Sequence, residues 1–286
     1  FTLSTSEKFF LNNNINHKYS TNYKENDYTN SKSYKSNTLN IDTDLSYSVT
    51  DNIFHTIGIG YELKDYIVTN SSTVSDSILK SSGVNISYVF KNELAYNTLN
   101  SFIRPTKGNY IKFSNYIQTP TSSTNGYIQN LVTFKKYYDF RNDIFSVQSR
   151  VGNILSLNNN EILSDDKYSL GGRWLRGFDN YGAGPRDSRS SYVGGNNLIV
   201  TKFDYSKPLS LNNDNPIYLN LFNDYGLLWG NKNNVTNSDQ SLRASYGFGI
   251  NYYSPIGPIG FSWGFPLLDK DYDIKRMFTF TIGNLN

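Results

Sequence analysis

Along the last third of the chain, apolar residues fall on every second position. Phe278, Phe280 and Ile282 alternate with Thr279, Thr281 and Gly283. Phe261, Trp263 and Phe265 alternate with Gly260, Ser262 and Gly264, and Tyr246, Phe248, Ile250 and Tyr252 with Ser245, Gly247, Gly249 and Asn251. A period of two places all the large residues on one face of a strand. The opposite face is small or polar but uncharged. A soluble sandwich would carry Lys and Glu there, whereas Gly, Ser, Thr and Asn suit the wet interior of a barrel whose outer face meets lipid.

Followed backward, the same period predicts thirteen strands, over residues 1–9, 13–25, 34–48, 53–66, 82–94, 109–118, 126–139, 143–155, 194–206, 217–229, 241–253, 258–266 and 276–284. Turn chemistry supports the boundaries at Thr50-Asp51-Asn52, Pro105-Thr106-Lys107-Gly108 and Ser254-Pro255-Ile256-Gly257-Pro258, which supply fixed or left-handed φ. No capped segment of helical period stands out. The predicted fold class is all-β, a transmembrane antiparallel β-barrel forming a single domain over residues 1–286. Single-chain bacterial barrels have even strand counts. Thirteen is odd, and Phe1 already lies in an alternating segment without a preceding Met or leader. An N-terminally truncated barrel with an odd number of strands upstream accounts for both.

Composition sharpens this picture. Tyr and Phe number 24 and 18, charged residues make up only 18%, and Asn, Ser and Thr fill the difference. No stretch approaches the roughly 20 apolar residues of a spanning helix. The mean hydropathy of -0.52 is compatible with a bilayer protein only if alternate residues face lipid and lumen. A net charge of +3 without a basic stripe argues against nucleic acid. The absence of Cys excludes a disulfide scaffold and thiolate metal sites.

Residues 156–193 break the alternation and exceed an ordinary hairpin loop. At their centre stands Gly171-Gly172-Arg173-Trp174-Leu175-Arg176-Gly177-Phe178-Asp179. Glycines allow close backbone approach, Trp174 and Phe178 offer anchors, and Arg176 presents a rigid fork of donors for carboxylates. Phe203 and Tyr205 set the outward phase of the following strand, so Asp204 points inward. Leu219, Leu221 and Tyr225 do the same for Asp224. The expectation is a loop that folds into the lumen and docks Arg176 on this acidic pair. The competing reading is a Gly-rich surface loop with solvated arginines.

Gly171-Gly172 followed by Leu175-Arg176-Gly177-Phe178 resembles the VRGF signature loop of the BamA family of bacterial surface antigens, with Leu in place of Val. In the same order, Val193-Gly194-Gly195-Asn196, Asn223-Asp224-Tyr225-Gly226 with Trp229, Ser254-Pro255-Ile256-Gly257-Pro258 and Phe278-Thr279-Phe280-Thr281-Ile282-Gly283 are similar too. Arg104-Pro105-Thr106-Lys107-Gly108 and Phe1 to Leu11 match more weakly. The resemblance implies a sixteen-strand barrel of which this chain holds about thirteen strands, preceded by periplasmic POTRA domains. It also implies a loop arginine, here Arg176, paired in the lumen with Asp224 and Asp204. The last strand, Phe278 to Gly283, would be a lateral seam whose glycine, Gly283, loosens closure. The ending Asn284-Leu285-Asn286 departs from the aromatic terminus common in the family.

The function so implied is assembly and insertion of other barrels in the outer membrane of a Gram-negative-type bacterium, by strand templating at the seam. Partners would be unfolded outer membrane proteins, membrane lipids and, through periplasmic domains, accessory assembly lipoproteins. No cofactor or metal is called for. The rivals are a polypeptide translocator of the two-partner secretion or translocation-and-assembly type, and a passive porin or adhesin. An enzyme fits worst. His17 and His55 lack metal-ligand spacing, no Gly-x-Ser-x-Gly elbow occurs, and Gly182-Ala183-Gly184 is not followed by a helix.

Overall fold

The computed structural model describes residues 1–8, 14–29, 33–121, 124–158, 162–187, 190–210, 216–230, 235–237, 240–254 and 257–283. Thirteen strands form one antiparallel sheet in strict chain order. We number them β1 (Thr2–Glu7), β2 (Ile15–Asp27), β3 (Tyr34–Thr50), β4 (Ile53–Val68), β5 (Gly83–Asn97), β6 (Gly108–Gln118), β7 (Tyr127–Phe140), β8 (Asp143–Ser156), β9 (Asn197–Ser210), β10 (Ile217–Trp229), β11 (Arg243–Ser254), β12 (Gly257–Leu268) and β13 (Phe278–Ile282). Each predicted strand has its counterpart. Pro255, Ile256 and the terminal Asn284-Leu285-Asn286 lie outside the described residues, as do Phe9 to Asn13.

Sequential antiparallel pairing follows from short hairpins, because a tight turn returns the chain beside itself. At the β7–β8 turn Arg141 and Asn142 both adopt positive φ (53° and 70°), the handedness that matches the twist of the flanking strands. One element escaped the pattern, a short helix Asp76–Lys80 in the β4–β5 connection. Ile78 of the helix and Val74 just before it pack on Tyr34 and Tyr66. With only five residues it carries no readable helical period. Among the described residues no helix is long and apolar enough to cross a membrane.

The two faces differ as the alternation requires. Large apolar side chains point outward and stay uncovered: Ile59 is 61% exposed, Val151 48%, Phe203 46% and Phe280 51%. Apolar area left in water forfeits about 25 cal/mol per Å², and a patch that surrounds a sheet is found where lipid replaces water. The inward face carries Ser36, Gln118, Ser146, Gln148, Asn220, Asp224 and Ser245, all buried. The described part of the connection between β8 and β9 packs on this face. Its Tyr168, Leu170, Leu175, Phe178 and Ala183 build the main hydrophobic cluster with Ile154, Leu198, Val200 and Leu228 of the wall.

Two wall glycines admit the connection. A Cβ on Gly226 would lie 2.6 Å from Leu170 Cδ1, and one on Gly264 would lie 2.5 Å from the Gly177 nitrogen. Both are closer than real Cβ contacts allow, so the loop seats only where these residues lack side chains.

The sheet has two edges, β1 and β13. β13 pairs with β12 over five residues, Ile259↔Ile282 to Trp263↔Phe278, whereas β9 and β10 pair from Asn197↔Trp229 to Ser210↔Ile217.

Candidate functional site

Gly171 and Gly172 adopt φ of 125° and 59°, and Gly172–Trp174 forms a single 3-10 turn. Left-handed backbone at two successive positions reverses the chain, and the turn delivers Leu175 into the core with no exposed surface and Phe178 with 1%. Between these two anchors Arg176 faces the wall. Its backbone N–H donates to Asp224 Oδ2 at 2.9 Å and its Nε to the same oxygen at 2.8 Å. Nη2 donates to Asp224 Oδ1 at 2.5 Å, and Nη1 to Asp204 Oδ1 at 2.6 Å. The guanidinium also lies 3.6 Å from the centre of the Phe222 ring. In the β9–β10 register Asp224 stands opposite Lys202 and Asp204 opposite Phe222. The two carboxylates are therefore offset along the wall, and a planar fork can reach both.

Burial opposes the charge on Arg176, but the two carboxylates outweigh it and hold the guanidinium above its ordinary range. Asp224, with no exposed surface, spends both oxygens on Arg176. The arrangement has no acid–base or nucleophilic chemistry to offer. It is an electrostatic fastening that fixes a loop to a wall.

Sequence reasoning missed two further attachments. On the opposite wall, the turn Ser164–Asp166 meets β3 and β4. Lys64 Nζ donates to Asp166 Oδ1 at 2.8 Å, and the Tyr34 and Tyr66 hydroxyls donate to Asp165 Oδ2 at 3.3 and 3.4 Å. On the side of the seam, Gly177–Phe178 pairs antiparallel with Lys275–Arg276 in the connection before β13. There Asp179 N–H donates to Ile274 O, and Ile274 N–H to Gly182 O, each at 2.9 Å. Arg276 adds an ion pair to Asp179 at 2.8 Å. Asp273 of the same connection is gripped by Arg243 Nε of β11 at 2.6 Å, both side chains almost wholly buried. The loop thus spans the lumen from β3–β4 to β9–β10 and clasps the segment leading into the last strand.

Of the seam residues, Phe278, Phe280 and Ile282 face outward and are exposed, with the Phe278 and Phe280 rings tilted against Trp263 and Phe261. Thr279 and Thr281 face the lumen and line its cavity. Gly283 follows with φ of 95°, where the chain leaves the extended line of the strand. The two histidines are engaged with strand neighbours, His17 with Thr43 at 2.7 Å and His55 with Tyr47 and Asn92, each at 2.7 Å.

Comparison with known proteins agrees with this architecture. The family model of the Omp85 superfamily domain matches residues 1–285. The outer membrane protein assembly factor BamA of Nitratidesulfovibrio vulgaris is 27% identical over 241 residues, which are 80% of this chain and 30% of that protein. The chain thus spans about a third of its curated relative. The crystal structure of BamA from Haemophilus ducreyi lacking POTRA domains 1-3 superposes with a TM-score of 0.83 at 22% identity, covering 99% of this chain and 61% of that one. CdiB from Acinetobacter baumannii gives 0.59 at 13% identity, covering 93% and 46%. A lipid-facing antiparallel sheet, a loop carried through its lumen and a family match across nearly every residue lead to one conclusion: the chain belongs to the Omp85 superfamily and is a β-barrel of the bacterial outer membrane.

Proposed function

We propose that this barrel assembles and inserts other outer-membrane barrels, offering the edge of β13 as a template for a client strand. The observation that carries the reading is the contrast at the seam. β13 is held by five residue pairs and ends at a left-handed glycine, whereas β9 and β10 pair along almost their whole length. Backbone N–H and C=O groups left unpaired in hydrocarbon cost several kcal/mol each. An incoming strand removes that cost by β-augmentation, an exchange of hydrogen bonds that requires no covalent step. The loop acts as a strut. By tying Arg176 to the β9–β10 wall and Gly177–Phe178 to the segment before β13, it keeps the edge in shape while pairing changes. Clients are unfolded outer membrane proteins, and accessory lipoproteins act through periplasmic domains joined to the barrel. Surrounding lipids are displaced at the seam.

A photo-crosslinker placed at Thr279 or Thr281 of the full-length protein tests this. Nascent client strands are expected to be captured there, and capture confined to strands remote from β13 would overturn the templating mechanism. The likeness to CdiB keeps a second reading in view, that of a polypeptide translocator. It needs a lumen that clears, so translocation abolished by a disulfide between the loop and the β9–β10 wall would favour it.

A further inference from the structure

The lumen wall beside the strut holds more positive charge than it neutralises. On β7, β8 and β9, Lys135 stands opposite Gln148 and Gln148 opposite Lys202. Arg150 occupies the next inward position of β8. The loop adds Arg173 and Trp174, and this one indole gathers three cations. Arg150 lies 4.6 Å from its centre, Arg173 5.7 Å and Lys202 5.8 Å. Lys135, Arg150, Arg173 and Lys202 form no ion pair or hydrogen bond with any described residue. Glu93 is taken by Lys112 at 3.0 Å. The two carboxylates in reach, Asp204 and Asp224, are already bound to Arg176.

Lys202 is only 6% exposed, yet its ammonium lines a cavity of about 110 Å³ together with Arg173, Trp174, Gln148, Asp204 and Ser146. A buried, unpaired ammonium is costly unless an anion completes it, and the cavity has room for several water-sized groups. A phosphate suits these donors better than a single carboxylate, since it brings several negative oxygens to the Arg and Lys donors at once.

We propose that this cavity is a binding site for a phosphate group, either free phosphate or the phosphomonoester head of a lipid. Lys202 and Arg173 are its principal donors, and Trp174 orders the cations around it. The site depends on the lumen wall and the seated loop, and stands whether or not the barrel is an insertase.

Titration of inorganic phosphate into the full-length protein in detergent, followed by calorimetry and ³¹P line broadening, tests the assignment. Phosphate is expected to bind at least tenfold more tightly than acetate. Arg173→Gln is expected to weaken phosphate at least tenfold while loop protection from protease stays at the wild-type level. Arg173 is exposed and forms no ion pair or hydrogen bond with any described residue, so this variant is expected to fold even if Lys202→Met does not. Mass spectrometry of lipid carried through purification separates the two sources. A phosphomonoester lipid retained by wild type and lost from Arg173→Gln assigns the site to a headgroup, and phosphate binding without such a lipid assigns it to the free ion. Equal affinity for phosphate and acetate, or neither phosphate nor a retained phosphomonoester lipid changing with Arg173→Gln, overturns the proposal.

Discussion

Replacing Asp224 with Asn keeps the shape of the side chain and removes its charge, which isolates the electrostatic part of the Arg176 fastening. In the native barrel Asp224 receives three donors from Arg176, at 2.9, 2.8 and 2.5 Å, and has no exposed surface. After the substitution the Asn oxygen still accepts, but the NH2 group that replaces the second oxygen opposes an Arg176 donor, and Asp204 is the one carboxylate left on the guanidinium. Breaking a buried, hydrogen-bonded ion pair by removing one partner typically costs about 3–5 kcal/mol. At 1.4 kcal/mol per tenfold change, the undocked loop should gain population by on the order of 10² to 10³-fold. Hydrogen exchange of the Leu170–Gly182 amides reads that opening directly, provided the barrel itself stays folded as judged by heat-modified electrophoretic mobility. Loss of loop protection with the barrel intact is the expected result. Protection unchanged within a factor of three in Asp224→Asn would show that the apolar anchors Leu175 and Phe178 hold the loop alone, and would refute the electrostatic account. The triple variant Arg176→Met, Asp204→Asn and Asp224→Leu should recover much of the loss, because it removes the buried cation together with both of its carboxylate partners.

Other predictions concern the outer face, the notches and the clasp. Ile59→Arg places a charge midway along β4 on the lipid side and should cost about 2–4 kcal/mol in a bilayer, lowering the folded fraction in vesicles. A variant folding equally well there would contradict the lipid-facing assignment. Gly226→Val puts a side chain where Leu170 sits. Proteolysis should then open the loop while the strands persist, and an unaltered digestion pattern would argue that the wall yields. Arg243→Met leaves Asp273 buried without its 2.6 Å partner. Residues 269–277 should exchange faster by at least tenfold, as read by deuterium uptake, with β3–β5 unaffected.

The strands were legible because each declares itself locally. Phe278-Thr279-Phe280 or Tyr246-Gly247-Phe248 needs no knowledge of its neighbour to reveal which side meets lipid. The same local phase placed Asp204 and Asp224 inside, and an arginine set between two apolar anchors pointed to them. The remaining attachments were hidden for a common reason. Lys64 and Asp166 are separated by 102 residues and Tyr34 and Asp165 by 131, and no periodicity in residues 156–193 says which wall that segment will touch. Asp273 lies in a connection with no alternation of its own. One trace was available, since Arg243 sits on the otherwise small inward face of β11 and such a charge calls for a partner. The Asp76–Lys80 helix is shorter than two turns, and its stability comes from packing on Tyr34 and Tyr66 rather than from a repeat.

The notches at Gly226 and Gly264 make the loop and the wall a matched lock and key. A relative whose wall carries bulk at either place must thread its loop along another path, so transplanting this loop without strands β10 and β12 should jam. Exchanged together, the pieces should travel between family members as a single cassette.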